Sequence, residues 1–90
     1  MTQPAVQQKL RVTQSLDVRG VAVPDNYLKV KAALAALAEN QLLELYLDEG
    51  EPLRTIPFGL RAEGHEIAVS EPAKEGVRLL VRKRLPLPAP

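Results

Sequence analysis

The stretch "SLDVRGVAVPDNYLKVKAALAALAEN", Ser15 to Asn40, decides how the chain is read, because its periodicity changes in the middle. Up to Val18 the period is two, which places Val12, Gln14, Leu16 and Val18 on one face of a strand. Gly20 breaks that strand. From Pro24 to about Glu39, Tyr27, Val30, Leu34 and Leu37 recur at spacings of three and four, and "KAALAALAE" consists of strong helix formers. Pro24 suits a first helical turn, where its missing N–H costs nothing, and Asn40 suits a C-terminal stop.

The same reading extends outward. "QLLELYL" gives a second strand with Leu43, Leu45 and Leu47 facing one way and Leu42, Glu44 and Tyr46 the other. After the turn "DEGEP", a second helix runs from about Pro52 toward Glu63 with Leu53, Ile56 and Leu60 on its apolar stripe. Pro57 is expected to kink or delay it, and Gly64 to cap it. "HEIAVS" and "GVRLLVRKR" form a third and a fourth strand joined by "EPAKEG". The order strand, helix, strand, helix, strand, strand predicts an α/β two-layer sandwich, with two helices on one face of a four-stranded mixed sheet. Residues 1–10 read as a flexible N-terminal segment, 11–84 as the single domain and 85–90 as a Pro-rich, extended C-terminal tail.

Composition removes whole classes of chemistry. The 90 residues contain no cysteine and one histidine, so thiolate nucleophiles, disulfides and Cys-rich zinc sites are absent. No metal and no cofactor is expected. The acidic run Asp48, Glu49 and Glu51 lacks the alternating oxygen ligands of a calcium loop and reads as a solvated turn. No apolar run approaches the roughly 20 residues that span a bilayer, and the N-terminus lacks the order of a signal peptide, so no membrane association and a cytoplasmic location are expected. Residues 24–71 hold four Lys/Arg against nine Asp/Glu, whereas residues 72–90 hold five against one. Such asymmetry steers an acidic partner or simply marks a solvated basic strand.

Few residues invite a catalytic reading. His65 and Glu66 are adjacent, but a general base needs a positioned partner and a pocket, and hydrogen bonding at a helix end accounts for His65 equally well. Asp17, at the end of the first strand, is placed to cap the following loop through backbone N–H groups.

These residues carry a recognisable pattern. "LDVRGVAVP", Leu16 to Pro24, resembles the opening of the TusA/SirA-like sulfur-carrier proteins, whose motif is Leu-Asp-x-x-Gly-x-x-Cys-Pro-x-Pro at a strand-to-helix junction. Ile56, Pro57, Gly64 and His65 extend the resemblance over roughly residues 14–84. The resemblance implies sulfur carried as a persulfide on the motif cysteine, where a helix N-terminus stabilises a thiolate. Here that position is Val23, and the motif's second proline is Asn26. Without a cysteine the chain has no sulfur to carry on, so no catalytic residue is expected.

Three readings follow, and the first leads. A non-catalytic, cysteine-less relative binds a protein partner through Asp17, Arg19, Gly20, Val23, Pro24, Asp25, Lys29 and Lys31, with a link to sulfur-transfer pathways. An RNA-binding module would instead use Arg78, Arg82, Lys83 and Arg84 on the last strand, although few aromatics are available for stacking. A weak homodimer would use the open sheet face, with Leu42, Tyr46 and Leu80 among Glu44, Arg78 and Arg82.

Overall fold

A computed structural model describes residues 11–85 of the chain. The expected flexible N-terminal segment, residues 1–10, and all but the first residue of the Pro-rich tail lie outside the described residues. The elements are β1 (Val12–Asp17), α1 (Asp25–Ala35), β2 (Leu42–Leu47), α2 (Glu51–Ala62), β3 (Glu66–Ala73) and β4 (Gly76–Arg82). Their order is the one the sequence predicts. The four strands form one mixed sheet in the order β1-β2-β4-β3, with β1 and β2 parallel and the other pairs antiparallel.

Alternation along β2 and β4 builds the core. Leu43, Leu45 and Leu47 meet Val77, Leu79 and Val81 across the β2–β4 ladder, and all six are buried. Val30, Ala33, Leu34 and Leu37 from the first helical segment and Ile56 and Leu60 from α2 close over them in a single cluster. Parallel β1 and β2 need a crossover, and α1 supplies it on the covered face.

The differences from the expected elements have local causes. Helix α1 stops at Ala35 rather than near Glu39. Ala36 and Leu37 donate to carbonyls three residues back, the Ala38 N–H goes to the Gln41 side chain at 2.8 Å, and Asn40 turns into the left-handed region at φ 75. The Lys83 ammonium also donates to the carbonyls of Leu34 at 2.6 Å and Leu37 at 3.1 Å. A cation at the negative end of a helix is favourable.

Helix α2 starts at Glu51, next to the expected Pro52, and is not delayed by Pro57, which lies inside it. Proline lacks the N–H that would meet the Leu53 carbonyl, but its ring is buried, and packing outweighs that loss. The end of α2 is as expected: Gly64 at φ 97 donates to Arg61, and His65 donates to Leu60 at 3.0 Å, the two hydrogen bonds of a Schellman motif.

"EPAKEG" is not a loop. Glu71, Pro72 and Ala73 continue β3, Gly76 begins β4, and only Lys74 and Glu75 make the turn. Proline is tolerated there because β3 is an edge strand. In β1 the alternation is interrupted, since a register shift sets Val12 opposite Leu42 but Gln14 opposite Leu43. Only Leu16 and Val18 of that row reach the core, and Val12 stays 40% exposed.

Truncating Leu45, which has no exposed surface, leaves a cavity. Leu45→Ala should cost about 2–5 kcal/mol in urea unfolding, whereas Leu28→Ala on the exposed surface should stay within about 0.5 kcal/mol.

Candidate functional site

The residues between β1 and α1 are fixed by a set of hydrogen bonds. The Asp17 carboxylate accepts from the Arg19 backbone at 3.0 Å and from its guanidinium at 2.9 and 2.7 Å. Arg19 also donates to the Lys74 carbonyl at 2.6 Å and lies 5.1 Å from the centre of the Tyr46 ring. Gly20, at φ 79, donates to Asp48 at 2.7 Å. The expected loop-capping role of Asp17 is therefore present. Asp17, Arg19 and Gly20 tie the loop to the end of β2 and to the β3–β4 turn, and so set where the next residues emerge.

Those next residues are exposed. Val23 is 68% accessible, and Pro24 stands as the cap of α1 rather than inside its first turn. Asp25 opens the helix, where a carboxylate suits the positive end of the dipole. Lys31 pairs with Glu63 of the α2 C-terminus at 2.9 Å. Lys29, two residues earlier, projects from the opposite flank of α1, because a helix turns about 100° per residue. The two lysines therefore do not act together.

Between the start of α1 and α2 lies a groove of about 360 Å³. Val23, Pro24 and Tyr27 form one wall, Thr55, Ile56 and Gly59 the other, and Asn26, only 2% exposed, sits between them. The Tyr27 hydroxyl donates to Glu63 at 2.8 Å. Burial, and then the Glu63 carboxylate, push that phenol up to about 12, so it remains a donor. Glu63 is held below its usual value, first by Lys31. Gly59 makes the arrangement possible, since a Cβ there would stand 2.8 Å from the Tyr27 hydroxyl oxygen. A larger hollow of about 560 Å³ beside Arg11, Thr13 and Gln41 brings no comparable set of side chains together.

Of the binding residues expected from the sequence, Val23 and Pro24 line this groove, while Asp17, Arg19, Gly20, Asp25, Lys29 and Lys31 do not; Tyr27, Asn26, Thr55 and Gly59, which do, were not among them. One signal was present. Gly59 sits inside a helix, where glycine is costly unless something needs its space.

The other candidates are dispersed. His65 accepts the Arg84 N–H at 3.1 Å through Nδ1, and burial lowers its pKa; Glu66 pairs with Arg82 instead. Arg78 is bound by Glu44 at 2.6 Å and by Glu71 at 2.7 Å. Lys83 caps α1, and Arg84 lies 4.0 Å from Glu39. Leu42 and Leu80 are already buried outside the main cluster, and Ser15 and Tyr46 complete the Glu44 network. Among the described residues no group of His, Asp and Glu is arranged to hold a metal, and no helix is long and apolar enough to cross a membrane.

The Asp17 carboxyl is held at about 2 rather than 3.8, chiefly by the hydrogen bonds from Arg19. The folded state thus binds its proton more weakly than the unfolded chain. Its stabilisation is complete above about pH 4 and is lost as pH falls toward about 2. Because the pair is half-exposed, Asp17→Asn should cost only about 0.5–1 kcal/mol at neutral pH. Thermal melts should also show a shallower acid limb in the variant over that window.

Comparison with known proteins places this geometry. The profile of the family described as "Sulfurtransferase TusA" matches residues 14–83. A protein of Archaeoglobus fulgidus named "Putative sulfur carrier protein" is 24% identical over 85 residues, covering 93% of this chain and 97% of its own. A protein of Thermotoga maritima with the same name is 34% identical over 59 residues, covering 66% of this chain and 75% of its own. With the strand-helix junction, the element order and a profile match over most of its length, the chain belongs to the TusA sulfurtransferase family, as a divergent member that has no cysteine.

Proposed function

We propose that this chain is a non-catalytic TusA-family domain that binds a protein partner at the Val23 groove, within a sulfur-transfer pathway, and carries no persulfide itself. The observation that carries the reading is Val23: an apolar side chain, 68% exposed, at the position the family's motif gives to cysteine, in a chain without any cysteine. Valine has neither a lone pair nor an ionisable proton, so it forms no S–S bond. The loop that presents it is nevertheless held by the Asp17–Arg19 fork and the Gly20–Asp48 hydrogen bond.

An exposed apolar centre with a polar rim is the composition of a modest protein interface. Val23 and Pro24 supply the centre, Asp25 and Lys31 the polar surroundings, and Asp17, Arg19 and Gly20 the support; Lys29, on the opposite flank of α1, falls outside this surface. The internal engagement of Arg78, Arg82 and Lys83 favours this reading over a nucleic-acid interface on β4.

The test is affinity capture from the native cell lysate at moderate salt, with and without ribonuclease, using wild type and Val23→Asp. A ribonuclease-resistant protein should be retained by wild type and weakened about tenfold or more by Val23→Asp, the loss expected when a central apolar contact is removed. Capture unchanged in the variant places the interface elsewhere, and capture abolished by ribonuclease moves the function to the basic strand.

A further inference from the structure

The groove between α1 and α2 contains a polar group that the fold does not use. Asn26 is only 2% exposed and lies among the lining residues. Its Oδ1 accepts from the Tyr27 N–H at 2.7 Å. An amide nitrogen cannot accept that bond, so the contact fixes which way the side chain is turned and leaves Nδ2, with its two protons, on the other branch. Among the described residues Nδ2 has no hydrogen-bond partner, and it is not sealed from solvent, because no sealed side-chain polar atom lacks a partner. The small accessible part of Asn26 therefore includes this amide, and the space it meets is the groove.

The other lining side chains are committed or apolar. The Tyr27 hydroxyl gives its proton to Glu63, and the Thr55 hydroxyl gives its proton to the Glu51 carbonyl at 2.9 Å. Val23, Pro24 and Ile56 are apolar, and no lining residue carries a charge. Among the lining side chains, Nδ2 of Asn26 is thus the donor with protons to offer. A carboxylate entering here would lose water without gaining a cation, and Asp25, next in the chain, would repel it. A neutral carbonyl loses far less and fits the donor. The motif that this loop resembles has proline at this position, a residue with no side-chain donor, so the amide is a departure from that motif.

We propose that the partner segment seated in this groove is uncharged and aliphatic, and that one of its backbone carbonyls accepts a hydrogen bond from Nδ2 of Asn26. This rests on the groove being a partner site and adds the chemistry of the partner, with Asn26 as the residue that selects it. Aliphatic side chains suit Val23, Pro24 and Ile56, and the acceptor such a segment always brings is its main chain. A buried donor that finds no acceptor in the complex weakens binding, so Asn26 sets the register of the segment as well as its polarity.

The experiment is panning of a display library randomised over seven positions against the folded protein, followed by titration of the enriched peptide by fluorescence anisotropy. Aliphatic residues should be enriched and Asp, Glu, Lys and Arg depleted, with binding weakened about tenfold or more by Val23→Asp. Each peptide bond is then replaced in turn by an alkene isostere, which keeps the shape and removes the carbonyl. One replacement should weaken binding to wild type about fivefold to tenfold. The same replacement should have no such effect on Asn26→Asp, which retains the acceptor for the Tyr27 N–H but not the donor. On wild type alone, the Asn26 side-chain amide signals in a nitrogen–proton correlation spectrum should move downfield with the intact peptide and not with that isostere, which reads the contact even if the variant does not fold. Val23-dependent peptides that leave those signals in place, or that lose as much on Asn26→Asp, overturn this inference and leave the groove reading standing. Enrichment of charged residues among Val23-dependent peptides overturns it in the same way. No peptide sensitive to Val23→Asp overturns both.

Discussion

The bidentate pair between Asp17 and Arg19 is the contact that holds the loop from which Val23 emerges. An isolated surface ion pair contributes little, because solvent screens it and two side chains must be ordered to make it. This one is not isolated. The same guanidinium lies over the Tyr46 ring and donates to the Lys74 carbonyl, so one side chain joins the end of β1, the middle strand β2 and the β3–β4 turn. Gly76 belongs to the same junction, since a Cβ there would meet the Leu47 carbonyl and the Arg19 side chain. The direction in which Val23 leaves the loop is thereby set by three strands at once.

A site so supported but lacking its nucleophile separates two things that the sulfur-carrier family combines. The positioning machinery belongs to the backbone and to Asp17, Arg19 and Gly20, whose hydrogen bonds hold the loop. The chemistry belongs to one side chain at the mouth of the groove. On the proposed reading, valine at that position offers an apolar contact in place of a thiol. The internal use of charge agrees with this. Glu44, Glu66 and Glu71 neutralise Arg78 and Arg82 across the open sheet face, and Lys83 serves the end of α1, so the basic appearance of the last strand does not become a basic surface.

The sequence by itself determined the element order, the core face of β2 and β4, the stop at Gly64 and the absence of thiol chemistry. All of these follow from period, from glycine backbone freedom or from composition, which are properties of neighbouring residues. The junction at Gly20 to Pro24 was legible for the same reason. Only the tertiary structure decided where α1 ends, because Lys83, some fifty positions away, captures its last carbonyls. It also decided that Pro57 stays inside a helix, that Pro72 belongs to a strand, and that β1 loses its alternation at Thr13. The second wall of the groove was decided in the same way. Tyr27 reads as one more apolar position on α1 until Gly59 of α2 lets its hydroxyl reach Glu63. Contacts between residues thirty or more positions apart leave no period in the chain, and they fixed the walls of the groove.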